Sequence, residues 1–285
     1  MTTLTVATAA PGRLLPYLNP ITLTRGLWSV RGLTYRLALR EVEARYRGSL
    51  LGGVWAFVTP LVLLLVYTMV FGVLFQSRWP HAPDTGLGGF ALALFCGLIP
   101  VNVFNECVTR SPALVLAVPH YVKRVVFPLE ILPVSLLGSV LFHGVVSLGA
   151  LLVVALAFNR TLPWTVILLP LVLLPLVLLS LGAAWFLASL GVFLRDLGQG
   201  VALLTTVLVF GTPVFYPTEA LPPALRPWMA LNPLAWVVEN LRRVVLWGLL
   251  PDWRGLGLWT AATAIILLLG YAWFMKTKRI FADVL

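Results

Sequence analysis

Lysine is scarce in this chain, and none of it stands where nucleotide chemistry needs it. Lys123, Lys276 and Lys278 follow Val122, Met275 and Thr277, whereas a phosphate-binding P-loop sets its lysine after glycine and before Ser or Thr. ATP hydrolysis by that route is excluded. Histidine is equally rare, and His81, His120 and His143 lie in different segments without metal-ligand spacing. Cys96 and Cys107, the two cysteines, sit in or beside apolar runs and read as small buried hydrophobes rather than a disulfide or metal pair. Charge is thin throughout: 11% of residues are charged and 60% hydrophobic, a balance that no soluble domain of this length needs to bury its core. The ten acidic residues form no closely spaced pair in a plausible cleft. The exception in spacing is Glu41 with Glu43, and Glu41 is expected to pair with Arg45 one helical turn on.

What is present is a polytopic, all-α membrane protein. The chain is organised around residues 35–75. Residues 54–75 are 22 residues without a charge, long enough at about 1.5 Å each to cross a hydrocarbon core. The preceding residues 35–48 carry Arg36, Arg40, Glu41, Glu43, Arg45 and Arg47 and cannot cross, since each charge at the bilayer centre costs about 2.5–3.5 kcal/mol. Wound as a helix, Tyr35, Leu39, Val42 and Tyr46 form one stripe and Arg36, Arg40, Glu43 and Arg47 another, which is the pattern of an amphipathic interface helix or of an ordinary solvated one. Gly48, Gly52 and Gly53 then let the chain turn into the span.

Residues 1–34 are polar, basic and proline-bearing, expected to be a loosely ordered cytoplasmic lead-in. They lack the apolar core of a cleavable signal peptide, so 54–75 is expected to be the first span. Five further spans are expected at about 89–108, 131–158, 164–193, 201–216 and 256–275. The fifth, ending in Thr212-Pro213-Val214-Phe215-Tyr216-Pro217, barely reaches across. Pro170 and Pro175 should kink the fourth. Asn102, Asn105 and Glu106 face helices or a water-filled path, and His143 reads as a hydrogen-bonded residue of the core. Residues 218–247 are too polar to span. There Asn232 should cap a helix with Pro233 at its first position, and Trp228, Trp236 and Trp247 give the segment the character of a membrane interface. It reads as short helices that re-enter or lie on the far face.

The net charge of +10 is not pooled into a face for nucleic acid; it reports topology. Six spans put fourteen Lys and Arg on the side of the termini and six, Arg78, Arg160, Arg226, Arg242, Arg243 and Arg254, on the other. Both termini are then cytoplasmic, by the positive-inside rule.

Three strings add specificity. They are Arg45-Tyr46-Arg47-Gly48-Ser49-Leu50-Leu51-Gly52-Gly53-Val54-Trp55 with Pro60, Val125-Val126-Phe127-Pro128-Leu129-Glu130-Ile131-Leu132-Pro133, and Pro213-Val214-Phe215-Tyr216-Pro217 with Leu231-Asn232-Pro233-Leu234. In order and spacing over about 35–280 they resemble the ABC-2 type permeases of the polysaccharide-export group, the Wzm/TagG-like O-antigen and teichoic-acid exporters. The resemblance implies the six-span ABC-2 (type V exporter) fold in a bacterial inner membrane. It also implies a homodimer joined by two ATP-binding-cassette subunits, so that MgATP is bound on the partner chain and this chain holds no cofactor and no metal. It further implies a coupling loop at 112–124, with Pro112, His120, Tyr121, Lys123 and Arg124 facing the ATPase, and periplasmic gate helices at 218–247.

For a polyprenyl-diphosphate-linked glycan, Arg40, Arg45 and Arg47 are candidate partners of the diphosphate. Tyr67, Phe71, Phe104, Phe210, Phe215 and Tyr216 are candidate aromatics of a sliding path, each with packing or anchoring as its plainer role. Other cargo within the class is a small lipid, drug or haem. A different class is an intramembrane glycolipid-modifying enzyme using Glu106 and His143 as acid and base.

Overall fold

The computed structural model describes residues 15–49, 52–74, 87–124, 127–224 and 226–284, and every regular element among them is helical. Side-chain caps start three of the helices, and the one at Asn232 stands where the sequence predicts it. Asn19 accepts from the Ile21 amide at 2.9 Å ahead of α1 (Pro20–Ser29), and Asn232 accepts from the Leu234 amide at 2.9 Å ahead of α10 (Pro233–Val245), with Pro233 in the first turn. In both, a side-chain oxygen satisfies an amide that has no partner within the helix. Asp252 caps α11 (Trp253–Thr277) in the same way.

Among the described residues five helices are long and apolar enough to cross a membrane: Gly52–Val70, Gly89–Ala113, Ile131–Phe158, Trp164–Phe193 and Trp253–Val284. The first comprises α3 (Trp55–Tyr67), which continues into a wider π-helical stretch, Thr68–Leu74; Phe75 lies outside the described residues. The second is α4 (Leu87–Arg110), the third α6 (Ile131–Asn159), which ends at Arg160 in a left-handed conformation (φ 59°). The fourth is a 3₁₀ turn, Trp164–Leu168, running into α7 (Leu169–Phe193), with Pro170 in its first turn and Pro175 inside it.

Residues 201–216 do not form one helix. The helix here, α8 (Leu197–Phe210), begins four residues earlier and stops at Gly211, giving 14 residues, too few for a hydrocarbon core at about 1.5 Å each. Its hydropathy runs on past Phe210, but Pro213 has no amide to continue the ladder. The segment expected to be a loose lead-in likewise holds α1 and the start of α2 (Arg31–Tyr46), and Leu23 of α1 is buried beside Val115, Leu129 and Phe281.

Helix α4 is the mast of the bundle. In its apolar window 83% of residues are buried, against 17% for the first span and 28% for the other three. Those four turn large apolar side chains outward, such as Phe57, Leu65 and Met69 of the first and Leu258, Ile265 and Leu269 of the last. Water would not tolerate such a surface; lipid or another apolar helix does. Helices α7 and α11 pack most intimately. A Cβ on Gly270 would strike the Gly182 carbonyl, so the backbones touch only because both residues are glycine. Trp185 is stacked edge-on against Tyr271, and Ser189 and Thr277 share a hydrogen bond of 2.6 Å. Small residues and hydroxyls are how helices associate where the hydrophobic effect gives no contrast between helix and lipid.

Helix α10 does not lie on a surface. Leu234, Val237, Val238, Leu241, Val244 and Val245 are buried against α4 and α7. Of the three tryptophans expected at an interface, Trp228 in α9 (Arg226–Ala230) is 68% exposed, whereas Trp236 and Trp247 are half-buried against the core.

Candidate functional site

A cavity of about 370 Å³, apolar on one side and polar on the other, opens between α2, α3, α4 and α6. Arg45 and Tyr46 enter from α2, Thr59 from α3, Asn102, Asn105, Glu106 and Thr109 from the last turns of α4, and His143 from α6. Arg45 Nη1 donates to Glu106 Oε1 at 2.6 Å, and Arg110 reaches both Glu106 (3.2 Å) and Glu41 (2.6 Å). Glu41 therefore does not pair with Arg45 along the helix. Each of the two finds its partner on α4, because α2 packs on α6 and its long side chains reach across to the end of α4. The result is a chain of four alternating charges that ties α2 down.

Tyr46 Oη and His143 Nδ1 lie 3.0 Å apart, adding a tie to α6. Burial pushes the Tyr46 phenol above its ordinary range, Arg45 pulling the other way, so the phenol is protonated at neutral pH. His143 Nε2 and Asn105 Oδ1 are buried and have no hydrogen-bond partner among the described residues. A cavity with such atoms holds water or a polar ligand group. Glu106 bridging two guanidiniums acts as a cross-link, which is poor preparation for an acid catalyst.

Of the candidate head-group arginines, Arg45 alone lines this cavity; Arg40 and Arg47 are exposed on or beside α2. The candidate aromatics divide. Phe104 is buried in the core with Val108 and Leu136, and Tyr67 packs at the edge of two core clusters. The Phe71 side chain lies outside the described residues. Phe210, Phe215 and Tyr216 do gather: the rings of Phe210 and Phe215 are stacked with centroids 5.8 Å apart, and Tyr216 Oη donates to the Phe210 carbonyl at 2.7 Å.

The candidate coupling residues occupy two settings. Pro112 is buried in a 3₁₀ turn, Ser111–Ala113, against Gly191 of α7, where a Cβ would collide with the Pro112 carbonyl. Helix α5 (Pro119–Arg124) carries exposed His120, with Tyr121 stacked on Phe127 at 4.7 Å, and touches the terminal helix α12 (Phe281–Val284). The side chains of Lys123 and Arg124 lie outside the described residues.

Sequence reasoning missed one residue altogether. Arg242 of α10 has no exposed surface, and its guanidinium donates to the carbonyls of Ala93 (2.9 Å), Pro213 (2.7 Å) and Val214 (3.0 Å). An arginine inside Asn-Leu-Arg-Arg-Val-Val, on the apolar side of a well-capped helix, was the available signal.

These features define a multi-pass helical membrane protein with a charge-tied helix ahead of its first span and no P-loop. Comparison with known sequences makes the class specific: residues 33–246 match the model of the ABC-2 type transporter family, and the chain belongs to that family. It is 31% identical over 265 residues to the O-antigen export system permease protein RfbA of Myxococcus xanthus, covering 92% of this chain and 99% of that one. The protein of the same name from Klebsiella pneumoniae is 25% identical, covering 86% and 92%. The polysialic acid transport protein KpsM of Escherichia coli is also 25% identical, covering 85% and 92%.

Proposed function

We propose that this chain is the membrane-spanning permease subunit of an ATP-binding-cassette exporter that moves a polysaccharide across the bacterial inner membrane. The observation that carries the reading is the end-to-end match to permeases named for O-antigen export, 92% of this chain against 99% of the Myxococcus relative. The protein works as a homodimer with two ATP-binding subunits, which bring MgATP, and α8 extended by the turn at 211–217 supplies the sixth membrane passage in that assembly. Its cargo is linked to polyprenyl diphosphate. Arg45, at the mouth of the cavity, can exchange its Glu106 partner for a phosphate oxygen, since both are charge-assisted acceptors. The Phe210, Phe215 and Tyr216 rings offer stacking faces to passing sugars, and α9 and α10 with the turns before them form the exit side.

The test is copurification and export. The tagged chain should bring down an ATPase with a Walker motif, and cells lacking the chain should retain the lipid-linked polymer on the cytoplasmic side. Polymer reaching the outer face at the normal rate without the chain, or without the associated ATPase, would overturn the reading. Cysteine introduced at Arg254, exposed at the start of α11, and a tag at the C-terminus should report opposite sides of the membrane if both termini are cytoplasmic.

A further inference from the structure

We infer that Arg242 is the positioning residue of the exit side: it fixes the turn at 211–217 and thereby holds Phe210, Phe215 and Tyr216 in place. This rests on the export reading for its consequence, and on geometry alone for its structural part.

The turn has little else to define it. Between the end of α8 and the 3₁₀ turn Thr218–Ala220, prolines at 213 and 217 remove two amides, and Val214 N to Thr212 O at 2.7 Å is the one internal backbone bond recorded among its described residues. The carbonyls of Pro213 and Val214 point inward, where an unpaired carbonyl is costly. The guanidinium of Arg242 is planar and has five donors, so it can take both of these carbonyls and that of Ala93 in one fork. The lysine ammonium is a compact group without that spread. Three elements thus meet at one buried cation: α4 through Ala93, the turn through Pro213 and Val214, and α10 through the arginine itself.

A second feature of the sequence fits this slot. Gly97 of α4 faces the guanidinium, and a Cβ there would lie 2.6 Å from Arg242 Nη2. Glycine in the middle of an apolar helix is otherwise unfavourable, and here it admits the arginine. Asn232 braces the turn from the other side, with Nδ2 to Gly211 O at 3.3 Å and to Thr212 Oγ1 at 3.2 Å. Tyr216 returns to the Phe210 carbonyl, so the aromatic group inherits whatever position the turn has.

The experiment compares hydrogen exchange by mass spectrometry in the wild-type protein, Arg242→Lys and Gly97→Ala, each as the full chain with its ATPase partner in lipid nanodiscs. Gly97→Ala keeps the arginine and only crowds its slot, which protects the test should Arg242→Lys fail to assemble. Exchange at 208–216 is expected to accelerate about ten- to a hundredfold in both variants, the change that loss of one hydrogen bond to a charged group produces, while the interior of α11 at 259–270 keeps its wild-type rate. Cellular export should fall with ATP hydrolysis retained. Equal acceleration in both regions would mean that Arg242 only holds the fold, and wild-type exchange at 208–216 in both variants would mean that it holds nothing; either overturns the inference. Locally faster exchange with normal export would leave the positioning role standing and remove its link to transport.

Discussion

Arg45 and Arg242 both sit on helices of one bundle, yet Arg45 keeps 46% of its side chain in solvent and Arg242 none. Burial decides what each substitution does. Arg45, Glu106, Arg110 and Glu41 retain side-chain exposures of 26–46%, so each pair contributes about 0.2–1 kcal/mol and weakens with salt. A double-mutant cycle on Arg45→Ala and Glu106→Ala should therefore give a coupling energy within about 0.2–1 kcal/mol in thermal unfolding. It should shrink further at 1 M salt, where the Debye length is about 3 Å. A coupling of zero at low salt would detach α2 from α4 energetically. The weakness suits the proposed task, because a latch of this size can be released when an anion competes for Arg45.

At the scale of the helix, α11 supplies its own control. Gly270 abuts the backbone of Gly182, whereas a Cβ on Gly257 of the same helix meets nothing within 4 Å. Gly270→Ala should destabilise by about 1–3 kcal/mol, the cost of forcing atoms into a filled interface, and Gly257→Ala should be neutral or stabilise by up to about 1 kcal/mol. Differential scanning of the purified protein separates them; equal midpoints would mean that α7 and α11 do not need the close approach. The same contrast explains what the sequence made legible. Helix starts at Asn232 and long apolar runs such as 164–193 are governed by nearby residues and by burial of uniform segments, so pattern alone finds them. Glu41 and Arg45 satisfy the local spacing rule, but partners 69 and 61 residues away sit closer to them. The apolar run 201–216 outlasts α8, because hydropathy does not register that Pro213 lacks the amide to continue the ladder. The polarity and tryptophans of 218–247 point to helices that re-enter or lie on the far face, and they do not show that α10 buries Arg242, which one helical step of about 100° separates from Arg243 at the Leu250 carbonyl. The cavity at Arg45 was half visible: its polar residues stood out in an apolar chain, but their meeting depends on how α2 folds back.

For the whole molecule the question is how force applied at α5 would reach the bundle. The segment after α4 is not a slack loop. Its Ser111–Ala113 turn is wedged against α7 at Gly191, and α5 touches α12, which follows α11. On the proposed function, an ATPase docked at α5 would therefore push on α7 through the turn and on α12, which follows α11, and α7 and α11 are themselves closely packed. Gly191 is the point to test, since it lets the Pro112 carbonyl lie against the helix. Gly191→Ala places a Cβ on that carbonyl and must push the turn away, at a cost of about 1–3 kcal/mol. If the wedge transmits the ATPase stroke, that energy appears as lost coupling of about 5- to 150-fold. The assembled complex should then continue to hydrolyse ATP while polymer delivered per ATP drops. Scrambling 112–124 should do the same more severely. ATP hydrolysis and export falling in equal proportion in Gly191→Ala would show that the turn secures docking of the partner, with the stroke entering the membrane helices by another contact.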